Sequence, residues 1–223
     1  MGKKIISFSL WKTHSKYLFG ALKNVELAKK IYPDWICRFY VSNDVPYVYV
    51  SNLKVLGAEI VETGLEGNWE GLFWRYFPTS EEDVDVCLVR DCDSRLNMRE
   101  KQLVDEWLES DKIYHTIIDH PWHSTKIMPG LFGAKKNNNL SIVGMIHKFD
   151  TVDRYGIDYT LFDNVLYSRI KNDILIHDFK KNINIERDES GFEFFCGEIF
   201  DQNDDPVEEH RRVLREWEKN NKK

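Results

Sequence analysis

Two carboxylates stand where a short apolar run stops. Residues 84–96 read VDVCLVRDCDSRL, and five of the first six are apolar before the run breaks at Arg90-Asp91-Cys92-Asp93. A short continuous apolar run of this kind reads as a strand buried on both faces, as in the middle of a parallel α/β sheet. Side chains alternate along an extended chain, so Asp91 and Asp93 can share one side while Cys92 points to the other. Open α/β sheets bind ligands beyond the carboxyl ends of their strands. Paired carboxylates there suit a hard divalent cation, Mg or Mn, held together with phosphate oxygens. The plainer reading is a pair of solvated loop carboxylates. A second match, Asp83-Val84-Asp85, lies at the entry of the same strand, where a solvated edge is expected. Position therefore favours Asp91 and Asp93.

The elements that must carry this pair follow from the pattern around it. Residues 4–11 (KIISFSLW) form a β-rich run that opens the sheet. Thr13-His14-Ser15 offers capping hydroxyls to a helix with Leu18, Ala21, Leu22, Val25, Ala28 and Ile31 at helical spacing, closed by Pro33. A strand over 35–41, a helical stretch from Pro46 to Gly57 and a strand over 58–61 complete a β-α-β-α-β half. Residues 67–76 (GNWEGLFWRY) read as a helix that interrupts the alternation, with Arg75 among its aromatics. Beyond the central strand come an amphipathic helix through Leu103, Val104, Trp107 and Leu108, and a strand over 112–118. There the regular alternation stops. Asp119-His120-Pro121-Trp122-His123 reads as a loop. Residues 128–135 read as a short strand whose glycines permit close backbone approach. Helices are expected over 140–149 and 159–170, with Asp158 at the N-terminal end of the second, where the helix dipole favours a carboxylate. Residues 174–177 form a last short strand. The segment 182–205 is polar and loop-rich apart from 191–200, and a charged helix over 206–219 has Val207, His210, Leu214 and Trp217 as its apolar side.

Composition bounds the function. A chain of 223 residues with 42% apolar content can bury one substantial core. A net charge of -6 argues against non-specific binding to nucleic acid or anionic membranes. It leaves a nucleotide possible, because a metal can supply local positive charge. None of the four cysteines has CxxC spacing, which predicts reduced thiols rather than disulfides or zinc. Met1-Gly2-Lys3-Lys4 is followed only by a short apolar strand, so the expectation is a cytoplasmic protein without signal peptide or membrane span. GxGxxG and GxxxxGK[ST] are absent.

The segments IISFSLW, KYLFGALKNVELAKKIYPDWICRFYV, GLFWRYFP, VRDCDSRLNMREK, DHPWH and GEIFD together resemble glycosyltransferases of the GT-A fold. The chain is similar, more narrowly, to small DxD-containing glycosyltransferase-like proteins of bacteria and large DNA viruses. The resemblance implies an α/β fold with a Rossmann-like, mixed, mostly parallel sheet in a single domain. It divides that domain into a nucleotide-binding half (1–96), an acceptor half (97–205) and a C-terminal helix (206–223). It implies that Asp91-Cys92-Asp93 is the DxD motif, holding Mn or Mg against the diphosphate of a nucleotide-sugar. A metal there stabilises the charge that develops on the leaving nucleoside diphosphate. By the same resemblance His177 is a third metal ligand, with Asp178 orienting its ring. Ser7, Ser9, Trp11, Tyr17, Arg75 and Arg90, with Asp91, form the donor pocket, and Arg95 is a further phosphate partner. Asp158 is the base that deprotonates the acceptor hydroxyl. His120, Trp122 and His123 line the acceptor or sugar pocket. The neighbouring acidic and Gln positions of the family are Ile157 and Tyr159 here.

The expected activity is thus transfer of a hexosyl or pentosyl group from a nucleotide diphosphate sugar to a glycan or other hydroxyl acceptor. One alternative is a catalytically weak nucleotide-sugar or glycan-binding module of the same fold, suggested by Ile157 and Tyr159. Another is a sugar-1-phosphate nucleotidyltransferase, disfavoured because WKTHSK after the first strand holds no glycine-rich loop.

Overall fold

A computed structural model of the chain describes residues 2–150, 153–188 and 194–221. The first half runs β1 (Lys3–Leu10), α1 (Ser15–Ile31), β2 (Ile36–Val41), α2 (Tyr47–Val55) and β3 (Glu59–Glu62). A 3-10 helix, Trp69–Ser80, then leads into β4 (Val84–Arg90), α3 (Met98–Glu109) and β5 (Tyr114–Ile118). The remainder is β6 (Leu131–Lys135), α4 (Ile142–Lys148), a helix that starts as α5 (Ile157–Leu161) and passes through a π turn (Phe162–Leu166) into α6 (Tyr167–Ile170), β7 (Ile174–Asp178) and α7 (Glu208–Asn221). The expected elements over the described residues are all present, with ends shifted by a few residues. Part of the 191–200 segment lies outside the described residues.

One seven-stranded sheet orders these strands β3-β2-β1-β4-β6-β5-β7. β6 runs antiparallel to β4 and to β5, and the other neighbours are parallel. This is a mixed, mostly parallel sheet in a single domain. The apolar run of β4 has its reason here. Its even residues Val86 and Leu88 face the core shared with α1, α2 and α3, and its odd residues Cys87 and Val89 face the core under the 3-10 helix and α4–α6. A strand buried on both faces admits polar residues only at its end, and that is where Asp91 stands.

Two local details differ from expectation. No hydroxyl caps α1: His14 holds the cap position, with no side-chain bond to the helix. The 67–76 stretch is a 3-10 helix, closed on its N-terminal side by Asn68, whose side chain accepts from the Glu70 amide at 3.0 Å. The aromatic pairs Phe73/Tyr76 and Trp74/Phe77, each three residues apart, and Pro78 within the run, suit the tighter three-residue turn against the sheet. All four cysteines are free and buried. No helix among the described residues is long and apolar enough to cross a membrane.

Candidate active site

The carboxyl ends of β1 and β4 open into a cavity of about 260 Å³. It is walled by the loops after β1, β4 and β5, by the 3-10 helix, by the start of α5 and by one residue of α7. The DCD turn is fastened from below. Cys92 turns into the core, where its thiol meets the Ser9 carbonyl at 3.4 Å. Asn24 of α1 donates to the Ser94 carbonyl at 2.8 Å and accepts from the Leu96 amide at 3.0 Å. α1 can lie this close because of Gly20, where a β-carbon would fall 2.0 Å from the Cys92 carbonyl oxygen. From above, Ser94 bridges to Ile199, and the Phe200 amide donates to the Asp93 carbonyl at 2.8 Å.

With the turn held, both carboxylates reach the cavity. Asp91 pairs with Arg75, whose guanidinium also binds Asp158 at 2.9 Å. Asp93 pairs with Lys16 at 2.8 Å. Arg75 is itself placed by Ser9, whose hydroxyl accepts the Arg75 amide at 3.0 Å. Burial disfavours the Arg75 charge, but Asp91, and with it Asp158, outweighs burial and holds its pKa well above the ordinary value. Burial, and then the charge of Asp91, pushes the Asp93 carboxyl up. Burial also raises Asp158, against the pull of Arg75. Tyr17 is pushed up to about 12 by burial and by Asp93.

Three carboxylates thus converge on two cations. Asp91 and Asp93 supply hard oxygen donors on one cavity, and the repulsion that raises Asp93 is what a divalent cation would relieve. These residues fit such an ion, which would compete with Arg75 and Lys16 for them. Among the described residues no group of three His, Cys, Asp or Glu is arranged to hold a metal.

The structure brings together Asp91, Asp93, Asp158, Arg75, Ser9, Trp11, Tyr17, His120, Trp122 and His123 around the cavity. It leaves out four expected residues. His177 is the first correction. On β7 it faces α3, where its Nδ1 accepts from His115 at 2.8 Å and its Nε2 donates to Glu106 at 3.0 Å. Both ring nitrogens are engaged away from the carboxylates, and Asp178 makes its bonds to Asn182 and Lys180 instead of to the ring. Arg90 is the second. It is one residue before Asp91, so alternation sends it to the opposite face, onto Glu100 at 2.9 Å. Ser7 is the third, wholly buried inside β1 between Arg38 and Val89. Arg95 is the fourth, held by Asp204 at 2.8 Å beneath Phe200.

The cavity also gathers residues the sequence reading did not single out. Lys12 lies at its edge in a left-handed conformation (φ 62), with its amide donated to Asp44 at 2.9 Å and its ammonium 5.8 Å from the Trp69 ring. Trp69 packs edge-on against Trp11 and Tyr155. His210 arrives from α7, ninety residues after His120, whose Nε2 donates to its carbonyl at 3.0 Å. Of these only Lys12 had a local signal, as a basic residue of WKTHSK close to Tyr17.

No protein-family model and no curated protein matches the chain. Solved structures do. A glycosyltransferase involved in the glycosylation of the major capsid of PBCV-1 matches with a TM-score of 0.53 at 17% identity, over 79% of this chain and 81% of that one. Glucosyl-3-phosphoglycerate synthase from Mycobacterium tuberculosis, in complex with Mn2+, uridine diphosphate and glucosyl-3-phosphoglycerate, matches with a TM-score of 0.53 at 9% identity, over 80% and 70%. The same synthase has been solved with phosphoglyceric acid bound. Mannosyl-3-phosphoglycerate synthase from Rubrobacter xylanophilus matches with a TM-score of 0.50 at 12% identity, over 79% and 65%. At these identities the likeness defines the fold, and the fold is GT-A.

Proposed function

We propose that this chain is a metal-dependent glycosyltransferase, moving a hexosyl or pentosyl group from a nucleotide diphosphate sugar to a glycan or other hydroxyl acceptor. The observation that carries the reading is the Asp91-Cys92-Asp93 turn at the end of β4, with both carboxylates on one cavity beside Arg75 and Lys16. Enzymes of this fold solved with Mn2+ and uridine diphosphate lend it support. Asp91 and Asp93 are the residues that would hold the cation, Mn or Mg, and when bound it supplies Lewis-acid stabilisation of the diphosphate leaving group.

The rest falls to the chain's own side chains. Trp11 and Tyr17 offer aromatic surface to the base, and Lys12 offers positive charge beside them. Arg75, placed by Ser9, orients Asp158 and offsets its charge. Asp158 takes the proton of the acceptor hydroxyl: its elevated pKa makes it a better base than an ordinary surface carboxylate. His120, Trp122 and His123 receive the acceptor.

A thermal-shift screen of nucleoside diphosphates and nucleotide-sugars, with and without Mn2+, tests this. A ligand near a hundred times its Kd stabilises by about 2.7 kcal/mol, or a few degrees in Tm for a chain of this size. The expected result is a nucleotide shift that needs metal and disappears in Asp91→Ala. An equal shift in that variant, or in chelator, would sink the site. Slow release of nucleoside diphosphate from the stabilising donor separates a transferase, which also transfers to water, from a module that only binds.

A further inference from the structure

The cavity has two unlike walls. On the side of β1 and the 3-10 helix stand its only described Lys and Arg, Lys12 and Arg75, and Arg75 is already shared between Asp91 and Asp158. The opposite wall is made by the loop after β5 and by α7. It presents Trp122, His120, His123 and His210, with no Lys or Arg among the described residues.

That wall is rigid. His120 donates through Nε2 to the His210 carbonyl at 3.0 Å and accepts the Trp122 amide on Nδ1 at 3.1 Å, so both its nitrogens are used and its tautomer is set. His123 accepts the Asp119 amide on Nδ1 at 3.2 Å. His120 stacks on Phe195 with centroids 4.7 Å apart. The Trp122 indole is packed edge-on by His210 at 5.0 Å and by His120 at 5.5 Å, yet 51% of the residue remains exposed. A large indole held this firmly while open to solvent marks a binding surface rather than a loose loop. Burial holds the three imidazoles below their ordinary range, His123 down to about 3, so the wall carries no charge near neutral pH.

We propose that the acceptor is an uncharged carbohydrate, laid with an apolar face of a sugar ring on Trp122, and that phosphorylated or carboxylated acceptors are excluded. An anion entering this side meets three carboxylates, Asp91, Asp93 and Asp158, while Arg75 is already paired and the Lys12 ammonium stands on the other wall beside Trp69. Desolvating a charge without a partner is costly, and the like charges add to the cost. A neutral sugar ring has apolar C–H patches for the indole and hydroxyls for the ring nitrogens that His123 and His210 leave unused, and needs no counter-charge. The inference rests on the transferase reading only for which substrate occupies this wall.

The test measures glycoside binding directly, by saturation-transfer NMR on the full chain with uridine diphosphate and Mn2+ present. The probes are methyl glycosides and short oligosaccharides of glucose, galactose, mannose, xylose and N-acetylglucosamine, beside sugar 6-phosphates and phosphoglyceric acid. We expect saturation of at least one neutral probe, retained in Trp122→Phe and weakened at least tenfold in Trp122→Ala, with no comparable signal from the anions. Anions binding as well as neutral sugars would overturn the proposal. So would silence from every neutral probe, or an unchanged affinity in Trp122→Ala. Donor binding is read separately by the metal-dependent nucleotide shift. Glycoside binding without that shift keeps this inference and removes the transferase reading, and the shift without glycoside binding does the reverse.

Discussion

The Asp91 carboxylate has Arg75 on one side and open cavity on the other, with the backbone of Gly130 against it. A β-carbon on Gly130 would lie 1.8 Å from an Asp91 carboxylate oxygen, and no other cavity carboxylate is approached this way by a described glycine. The atom in the way is the end of a side chain, so Gly130→Ala forces Asp91 to move while the strands stay put. The expected outcome is loss of the metal-dependent nucleotide shift with a Tm within a few degrees of the parent, read in the same thermal scan. Asp158 carries a different prediction. Its side chain accepts from Arg75 at 2.9 Å and from its neighbour's amide at 3.1 Å. Asp158→Asn keeps the shape but removes the base, so acceptor-dependent turnover should fall by about two to four orders of magnitude, while metal-dependent nucleotide binding persists. A variant with unchanged turnover would make Asp158 only the anchor of Arg75.

At the scale of elements, the most consequential pairing is β5 with β7 over α3. It holds a chain that runs inward from the surface: exposed Glu106 accepts from buried His177, and His177 accepts from buried His115, which stacks on Trp107 with centroids 5.2 Å apart. The remaining nitrogen of His115, Nδ1, is buried without a partner. Burial, and then the neighbouring His177, holds the His115 pKa well below its ordinary 6.5. The sign follows. Below pH 6.5 the unfolded chain binds a proton that folded His115 refuses, so stability is full above that pH and falls as pH drops. His115→Gln removes this proton uptake. Its unfolding free energy should fall less steeply between pH 6.5 and 5, by up to about 1.4 kcal/mol per pH unit, in urea titrations across that range. Identical slopes in the two proteins would refute the assignment. This same pairing explains why the histidine at this strand end stands apart from the Asp91 and Asp93 carboxylates: β7 lies at the far edge of the sheet, and His177 turns to His115 and to Glu106 of α3.

For the molecule as a whole, the C-terminal helix completes the domain and not merely its length. Leu214 is fully buried with Phe194 and Phe195, and Arg211 pairs with buried Glu198 at 3.0 Å through its second nitrogen. The apolar side of α7 therefore docks on its own domain through Leu214. The same docking presents His210 to the cavity. Leu214→Ala should cost about 2–5 kcal/mol by emptying that contact, measured by chemical denaturation. It should also loosen the Trp122 wall, since His210 and His120 hold it. A destabilisation under 1 kcal/mol, a bound on the order of surface effects, would mean that α7 is an accessory.

Much of this arrangement was legible in the chain. The buried β4 run and its terminal carboxylates, the β-α-β-α-β half and the helix that starts at Asp158 all depend on periodicity and on where polarity interrupts it. Those are local properties that hydrophobic burial enforces wherever the strand ends up. The partners of each charge were not legible. Arg90, one residue from Asp91, goes to Glu100 because alternation puts it on the other face, and Arg75, sixteen residues away, takes Asp91 because a 3-10 helix crosses the strand ends there. Lys16, His210 and Gly130 join the site from three separate elements, and no spacing along the chain encodes their meeting. Local physics selects which residues can stand at a strand end. Only the packing of whole elements against one another decides which of them share a cavity, because that is a matter of long-range contact and not of sequence neighbourhood.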